Sequence, residues 1–258
     1  MLFDTHAHYD DDQFDGDRET LLASLPEQGV GLVVNPGCTV ASSRTAVELA
    51  RRFPHVYAAV GIHPENCGDF RPEDLDAIRA LAREEKAVAI GEIGLDYYWP
   101  ENPPRPLQQQ VLRSQLALAR ELDIPVTMVT DTYQFPMGQA MLTVYPPVGA
   151  GDLNEQGLTF LCSAGNFNAL ITGDMAGNTE KKLVERFDLP DIEVLVVGHH
   201  GSRYSSTDVF LQQMRPETAI ISVGDNSYGH PTQEAMDRLS RNLSLIHISE
   251  PTRPEPIS

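Results

Sequence analysis

The sequence predicts an α/β fold whose architecture changes near residue 130. Over the first 129 residues, a short β-branched apolar run alternates four times with an amphipathic helical segment, which indicates a parallel sheet with crossover helices. After that point several strands follow one another across Gly and Asn, which is typical of antiparallel pairing. The chain has 258 residues, of which 41% are hydrophobic, so it can bury one large core or two small ones. Its longest apolar runs are strand-sized, so no membrane segment is expected.

The strands and helices can be placed by their runs and boundary signals. In the first half the predicted strands are LFDTH, VGLVVNPG, VYAAVGIHP and AVAIGEIG, and the predicted helices cover 17–27, 42–53, 72–85 and 107–122. Ser42 is a good N-cap and Pro72 suits a first helical turn. The run IPVTMV would begin a fifth strand. In the second half we expect strands at AMLTVYPP, LTFLCSAG, NALITGD, IEVLVVGHH and TAIISVG, with helices near 179–187, over 206–214 and after Pro231.

Charge and cysteine content restrict the function. A net charge of −18 argues against a broad basic face that grips nucleic acid. It leaves room for a nuclease, because divalent metal ions can supply positive charge at the scissile phosphate. Cys38, Cys67 and Cys162 are far apart, so we expect buried free thiols rather than disulfides or a thiolate zinc site. The N-terminus has no secretory pattern, and a cytoplasmic location is expected.

A candidate metal site begins with the THAH motif. Side chains alternate faces along a strand, so His6 and His8 point the same way and could share one cation. Metal sites generally need at least a third protein ligand. Glu92 ends the fourth predicted strand at the same sheet edge, where its carboxylate could bridge two cations. His63 follows the third strand, and Pro64 imposes an extended backbone there. A lone histidine at a strand end is more often structural or solvent-facing than catalytic.

These motifs resemble a known family. The segments FDTHAHYDDDQFDGDR, GIHPE and GEIGLDYYW, followed by QQQVLRSQLALARELDIPV, are similar to the TatD family of metal-dependent deoxyribonucleases, over about residues 1–127. The resemblance implies part of a TIM barrel with a two-metal site, in which His6 and His8 bind one cation, Glu92 bridges two, and His63 lies near the substrate phosphate. It also implies hydrolysis of DNA phosphodiesters by water activated on divalent Mg, Mn or Zn. The family pattern requires two further histidines and an aspartate at later strand ends, yet no histidine occurs between His63 and His199.

The second half carries a different resemblance. LITGDM, LVVGHHGSRYSST and DNSYGHP are similar to the metallo-β-lactamase-like domain of the ComEC DNA-uptake proteins, over about residues 128–241. The resemblance implies half of an α/β sandwich, with Asp174 as a bridging metal ligand, His199 as a terminal ligand, and His200 and His230 lining the catalytic site. From the residues alone, an aspartate after glycine also fits an ordinary turn. Alternation does not decide which of the two adjacent histidines faces the site, and the family's upstream H-x-H-x-D-H motif is missing.

The junction and the tail suggest a composite chain. The two resemblances meet near residues 123–130 without a Gly-, Pro- or Ser-rich linker. Residues 242–258 include LSLIHISEPTRP, which resembles a translated sequencing-adapter fragment, so we expect a disordered, non-native scar. Three hypotheses remain open: a TatD-type deoxyribonuclease impaired by truncation, a ComEC-like metallo-β-lactamase-fold hydrolase linked to DNA uptake, and an inactive artificial chimera. No protein partner is implied.

Overall fold

The alternating pattern of the first half folds as a parallel β/α unit. The computed structural model describes residues 1–151, 153–224, 226–243 and 245–249, and the chain divides into two units, Met1–Thr127 and Met128–Ser258. In the first unit, all four strands pair in parallel, which brings their carboxyl ends to one edge of the sheet. In sheet order the strands are β1 (Leu2–Asp4), β2 (Val30–Pro36), β3 (Val56–Val60) and β4 (Ala87–Ile90).

Four helices follow the predicted positions with small shifts at their ends. The second helix begins earlier than predicted, because Thr39 and not Ser42 is its N-cap. The Thr39 side chain accepts from the Ser42 amide at 3.1 Å, and the Ser42 hydroxyl accepts from the Thr39 amide at 2.9 Å, which makes a reciprocal capping box. The helices are α1 (Arg18–Ser24), α2 (Val40–Arg52), α3 (Pro72–Leu81) and α4 (Arg105–Glu121).

A buried amide ties α4 to the chain beyond β3. Gln115 is 1% exposed within the apolar core of this unit. Its Oε1 accepts from the Ile62 amide at 2.7 Å, and its Nε2 donates to the Ile62 carbonyl at 3.0 Å. Both backbone groups of a residue outside any strand are thereby satisfied, which a buried peptide requires. The position of α4 and the position of the residue that follows Ile62 are therefore linked.

The predicted fifth strand does not form. Residues 124–132 lie outside any strand, and the Ile124 amide bonds to the Ala119 carbonyl at 2.9 Å where α4 ends. Val126 is 41% exposed and Met128 is 83% exposed. Composition favours a strand here, but a strand also needs a neighbouring edge to pair its backbone groups. The prediction was wrong: β4 ends the four-stranded sheet with an edge that no described strand pairs, and residues 124–132 do not add to it.

The second unit is built on one mixed sheet of seven described strands. Its first four strands pair antiparallel, as the short loops suggested, and the remaining pairs are parallel. The strand β5 was not predicted; it is an edge strand, where Pro136 is tolerated. The strands are β5 (Tyr133–Met137), β6 (Ala140–Tyr145), β7 (Thr159–Ala164), β8 (Phe167–Ile171), β9 (Val194–Val196), β10 (Thr218–Ser222) and β11 (Leu245–Ser249), and the helices are α5 (Gly177–Arg186), α6 (Asp208–Met214) and α7 (Gln233–Asn242).

The segment expected to be a disordered tail contains regular structure. Asn242 is the last residue of α7, and Leu245–Ser249 pairs in parallel with β10 over five residues. The disorder prediction is therefore wrong for these residues, because their alternating Leu-Ile-His-Ile pattern finds an open parallel edge. Residues 250–258, with the three prolines, lie outside the described residues.

Within the described ranges, no helix is both long enough and apolar enough to cross a bilayer.

Replacing Gln115 with Leu tests the link between α4 and Ile62. We expect the free energy of unfolding of the first unit to fall by about 2–4 kcal/mol, because two buried backbone groups lose their partners. Urea unfolding followed by the emission of Trp99, the single tryptophan of the chain, reports on this unit. Gln110→Leu, at an exposed position of the same helix, is the control and should change stability by less than about 0.5 kcal/mol. Equal effects of the two substitutions would contradict the role given to Gln115.

Candidate metal centre

The first two candidate ligands lie just beyond β1. Ala7 keeps the extended pairing of the strand, because its amide donates to the Val34 carbonyl at 3.1 Å, and its side chain packs against the core. His6 and His8 flank Ala7 and therefore point to the opposite side. Their Nε2 atoms lie 3.1 Å apart. The predicted pairing of the two imidazoles is present, although both histidines follow the strand rather than belong to it.

Glu92 reaches the two imidazoles from the end of β4. Its amide donates to the Gly37 carbonyl at 2.9 Å, which fixes the residue beside the continuation of β2. Glu92 Oε2 lies 3.5 Å from His6 Nε2 and 3.6 Å from His8 Nε2. A close approach of the backbones makes this possible: a Cβ atom on Gly61 would lie 2.9 Å from the Gly91 carbonyl carbon.

The three side chains fit one divalent cation. They are the one group of three potential ligands found among the described residues, with donor atoms within 4.8 Å of one another. For bonds of about 2.1 Å to one cation, two donors lie about 3.0 Å apart at a right angle and about 3.4 Å apart at the tetrahedral angle. The observed separations, 3.1 to 3.6 Å, agree with these values. Two imidazole nitrogens and a carboxylate are ordinary ligands for zinc or manganese.

The hydrogen bonds of His63 make it a proton donor rather than a metal ligand. Its Nδ1 accepts from the Glu65 amide at 3.3 Å, so the neutral ring carries its proton on Nε2. That Nε2 faces Glu92 Oε1 at 3.9 Å. The His63 amide donates to the Cys38 carbonyl at 2.9 Å, which holds this loop beside the continuation of β2. His63 is therefore placed as a hydrogen-bond donor next to the site, and not as a third imidazole ligand.

A buried pair that sequence analysis missed supports His8. Asp10 Oδ1 lies 3.7 Å from His8 Nδ1 and accepts from Asn35 Nδ2 at 2.7 Å, and Asn35 is fully buried. A carboxylate on Nδ1 favours the tautomer that leaves the Nε2 lone pair free for a cation. Arg18 donates to the carbonyls of Tyr9, at 2.5 Å, and Asp11, at 2.8 Å, and so holds this loop. The acidic run after THAH was the available signal, but nothing in the sequence shows which carboxylate turns inward.

Cys38 also belongs to the site. Its Sγ lies 3.8 Å from Glu92 Oε2, so the thiol is half-buried beside a carboxylate. Burial first, and then the negative charges of Glu92 and Asp10, raise the pKa of the Cys38 thiol to about 11. A neutral thiol donates a weak hydrogen bond to the carboxylate and orients it. Of the three cysteines expected to be buried, Cys67 is buried, whereas Cys38 and Cys162 are partly exposed.

In the second unit, His200 rather than His199 faces Asp174. Asp174 follows β8, and its Oδ1 lies 4.0 Å from His200 Nε2. His200 Nδ1 lies 2.7 Å from the Ser222 carbonyl, which fixes the proton on Nδ1. His199 and His200 adopt left-handed backbone conformations, with φ of 50° and 53°, so the alternation of a strand does not govern which ring faces Asp174.

His199 packs instead against His230. Their ring centroids are 5.6 Å apart in an edge contact, and the Tyr228 ring stacks on His230 with centroids 6.2 Å apart. The His230 Nδ1 atom is buried without a hydrogen-bond partner among the described residues. Burial, and then the neighbouring His199 and His200, lower the pKa of the His230 imidazole, so it is neutral near pH 7. The four predicted residues of this half are thus neighbours in two pairs, Asp174 with His200 and His199 with His230.

The cluster of two histidines and a carboxylate lies at the carboxyl edge of a parallel β/α sheet, where it could hold a divalent cation. Residues 3–130 match the family model described as TatD related DNase. The chain is similar to the uncharacterized metal-dependent hydrolase YabD of Bacillus subtilis, with 40% identity over 126 residues, 49% of each chain. It is also similar to the 3'-5' ssDNA/RNA exonuclease TatD of Salmonella typhimurium, with 36% identity over 127 residues, 49% of this chain and 48% of the relative. These matches support a TatD-family DNase domain over about the first 130 residues.

The similarity has a defined extent. The chain spans about half the length of the curated relatives it matches, and the family model ends at residue 130. Among solved structures, the crystal structure of the TatD homolog YjjV from Escherichia coli aligns with 95% of this chain and 78% of that chain, at 24% identity and a TM-score of 0.47. The metallo-β-lactamase resemblance of the second unit remains a prediction.

Substitution of Asp10 tests how the His8 ligand is oriented. We expect Asp10→Ala to weaken Mn²⁺ binding about tenfold to hundredfold, because the carboxylate that selects the His8 tautomer is lost. Isothermal titration calorimetry of the full chain measures the affinity. Asp12→Ala removes an exposed carboxylate of the same loop and should leave the affinity unchanged. An equal loss in both variants would indicate a general charge effect and would contradict the orienting role.

Proposed function

We propose that the first unit hydrolyses phosphodiester bonds of single-stranded nucleic acid with a divalent metal ion. The observation that carries the proposal is the agreement of the His6, His8 and Glu92 donor separations with a single cation. The relative from Salmonella typhimurium, named for action on single-stranded DNA and RNA, supports the choice of substrate. The metal-dependent hydrolase named in Bacillus subtilis supports the choice of cofactor class.

The residues of the first unit would have two roles, metal binding and hydrogen-bond donation, according to which ring nitrogen carries the proton. His6 and His8 would hold the cation through Nε2, and Glu92 would hold it through Oε2 while Cys38 orients the carboxylate. His63, which carries its proton on Nε2, would donate to a phosphate oxygen of the substrate. When bound, a divalent metal ion supplies Lewis-acid stabilisation of the developing phosphate charge and lowers the pKa of water.

A local positive charge fits this acidic chain. The net charge of −18 repels a polyanion at long range, so productive binding depends on short-range contacts at the site. The site faces solvent, since the His6 side chain is 54% exposed and that of Glu92 is 32% exposed, and a phosphate can therefore approach without a large rearrangement. We expect affinity that depends on the metal ion and changes little with salt, because salt screens the long-range repulsion as well as the few phosphate contacts.

Turnover would be weak in this chain. The TatD pattern calls for two histidines and an aspartate beyond the strands present here, and the four-stranded sheet of the first unit supplies three ligands. Bridging of two cations by Glu92 would require those further ligands. We therefore propose one well-formed cation site and impaired catalysis.

A second candidate function resides in the second unit. Asp174 and His200 face each other at 4.0 Å, with His199 and His230 close by, which favours a hydrolytic metal site of the ComEC-like metallo-β-lactamase class. The carboxylate and the imidazole that face each other would be the ligands, and the neutral His230 would be the general base. Among the described residues this cluster does not bring three donors within ligand distance, so it ranks second.

Nuclease assays on matched variants separate the two sites. With a labelled single-stranded oligonucleotide and Mn²⁺ or Mg²⁺, we expect cleavage by the unmodified chain to fall at least about a hundredfold in the double variant His6→Ala with Glu92→Ala, because metal stabilisation of the transition state is worth several kcal/mol. Asp174→Ala should leave the rate unchanged. All three proteins are purified identically, so that a contaminating nuclease would give equal rates.

The remaining outcomes have distinct meanings. Loss of cleavage in Asp174→Ala alone would transfer the activity to the second unit. No metal-dependent cleavage by the unmodified chain would contradict both sites and favour the inactive chimera, for which a broad, non-cooperative thermal transition is also expected.

A further inference from the structure

We propose that Tyr98 and Trp99, with Arg105, form a stacking platform for the bases of a single strand whose phosphate lies at the metal centre. This inference rests on the proposed function of the first unit and names the residues that would hold the substrate there. Both rings belong to the loop that leaves the carboxyl end of β4, and Tyr98 is six residues after Glu92. At most about 20 Å of chain separates the two residues, a distance that a few nucleotides of single strand can cover.

The loop that carries the rings is held in place by hydrogen bonds, two of them to the buried Gln108 side chain. Gln108 is 1% exposed; its Oε1 accepts from the Asp96 amide at 2.8 Å and its Nε2 donates to the Asp96 carbonyl at 2.8 Å. Asp96 Oδ1 in turn accepts from the Tyr98 amide at 2.8 Å. The Asn102 amide donates to the Trp99 carbonyl at 3.2 Å, which forms a turn at the end of the segment. The two rings are therefore presented by an ordered turn, which lowers the entropy cost of binding.

The rings themselves have little apolar cover. Tyr98 is 75% exposed and Trp99 is 50% exposed, although aromatic side chains of this size usually bury most of their area. They contact each other edge to face, with centroids 4.8 Å apart and an interplanar angle of 88°. This contact fixes the two rings as a pair and leaves a face of Tyr98 open to solvent. An exposed, fixed aromatic pair is the arrangement that stacks unpaired bases.

Arg105 gives the platform the charge that a nucleic acid strand requires. Its guanidinium lies 4.4 Å from the Tyr97 ring centroid and makes no ion pair in the part of the chain that the structure describes. Tyr97 is anchored through its hydroxyl, which accepts from Gln109 Nε2 at 3.1 Å. The nearby acidic residue, Glu101, is exposed. In a chain of net charge −18, an unpaired cation on Tyr97, the residue that precedes the two open rings, suits the phosphate of a strand whose bases stack there.

Binding of two matched ligands tests the platform. One probe is a fluorescein-labelled single-stranded oligothymidylate, and the other is an abasic deoxyribose phosphate strand of the same length. Anisotropy in EDTA prevents cleavage and removes the metal contribution to binding, so that the remaining affinity reports the platform, and quenching of the single tryptophan reports stacking directly. We expect the full chain to bind oligothymidylate about tenfold to hundredfold more tightly than the abasic strand, as base stacking on aromatic rings does in other proteins.

Substitutions of the rings should remove that preference. Tyr98→Ala and Trp99→Ala should bind the two probes equally, whereas Trp99→Phe should keep most of the difference. Arg105→Gln should weaken both probes alike, because it contacts phosphate. Tyr204→Ala, which removes a ring that is 69% exposed in the second unit, is the matched control and should behave like the unmodified chain. Circular dichroism of each variant checks that it is folded.

Failure of the platform and failure of the proposed hydrolysis give different results. Metal-dependent cleavage with no preference for bases, or with the same preference in Tyr98→Ala, overturns the platform and leaves the hydrolase intact. Ring-dependent preference without cleavage supports the platform and overturns the hydrolase. Self-association that Trp99→Ala abolishes, with no effect of either strand, would assign the rings to a contact between copies and overturn the platform.

Discussion

Backbone hydrogen bonds that continue past the strand ends hold the candidate metal centre together. Ala7, His63 and Glu92 lie outside the strands, yet each amide donates to a carbonyl of β2 or of the loop that continues it. Three loops are thereby fixed along one sheet edge. The side chains of His6, His8, His63 and Glu92 come together there. Parallel pairing is the cause, since only carboxyl ends meet at that edge. The ligand separations are a consequence of this pairing, and so is the position of His63 beside Glu92.

The polar groups around the ligands decide what each imidazole can do. A carboxylate on the Nδ1 of His8 leaves its Nε2 free to bind a cation, whereas a backbone amide on the Nδ1 of His63 leaves its Nε2 as a donor. Two chemically identical side chains therefore take different roles within one site. The neutral thiol of Cys38 adds no charge to a site where Asp10 and Glu92 already flank His8, so a cation remains the group that would offset their negative charge.

Sequence analysis reached the parts of the structure that follow from periodicity. The alternation of the first half predicted the parallel strands and helices, and the spacing of His6, His8 and Glu92 predicted their convergence. It failed where strand pairing, a side-chain hydrogen bond or a backbone turn decides the local structure. IPVTMV has the composition of a strand but does not pair with the open edge of β4. LIHIS pairs with an edge that was not foreseen, and Asp10 turns inward because a fully buried Asn35 binds it. The resemblance assigned the ligand role to His199, whereas the left-handed turn brings His200 to Asp174.

In the second unit, the left-handed backbone of His199 and His200 lowers stability but keeps two imidazoles in the turn. Two successive residues with β-carbons occupy a region of backbone space that glycine enters freely, and each such residue costs of order 1–3 kcal/mol. Glycine at either position would relieve the strain and stabilise the second unit, but it would remove an imidazole side chain. Selection for thermal resistance and selection for imidazole chemistry would therefore pull this turn in opposite directions. Its sequence in thermophilic and mesophilic counterparts would record which of the two prevailed.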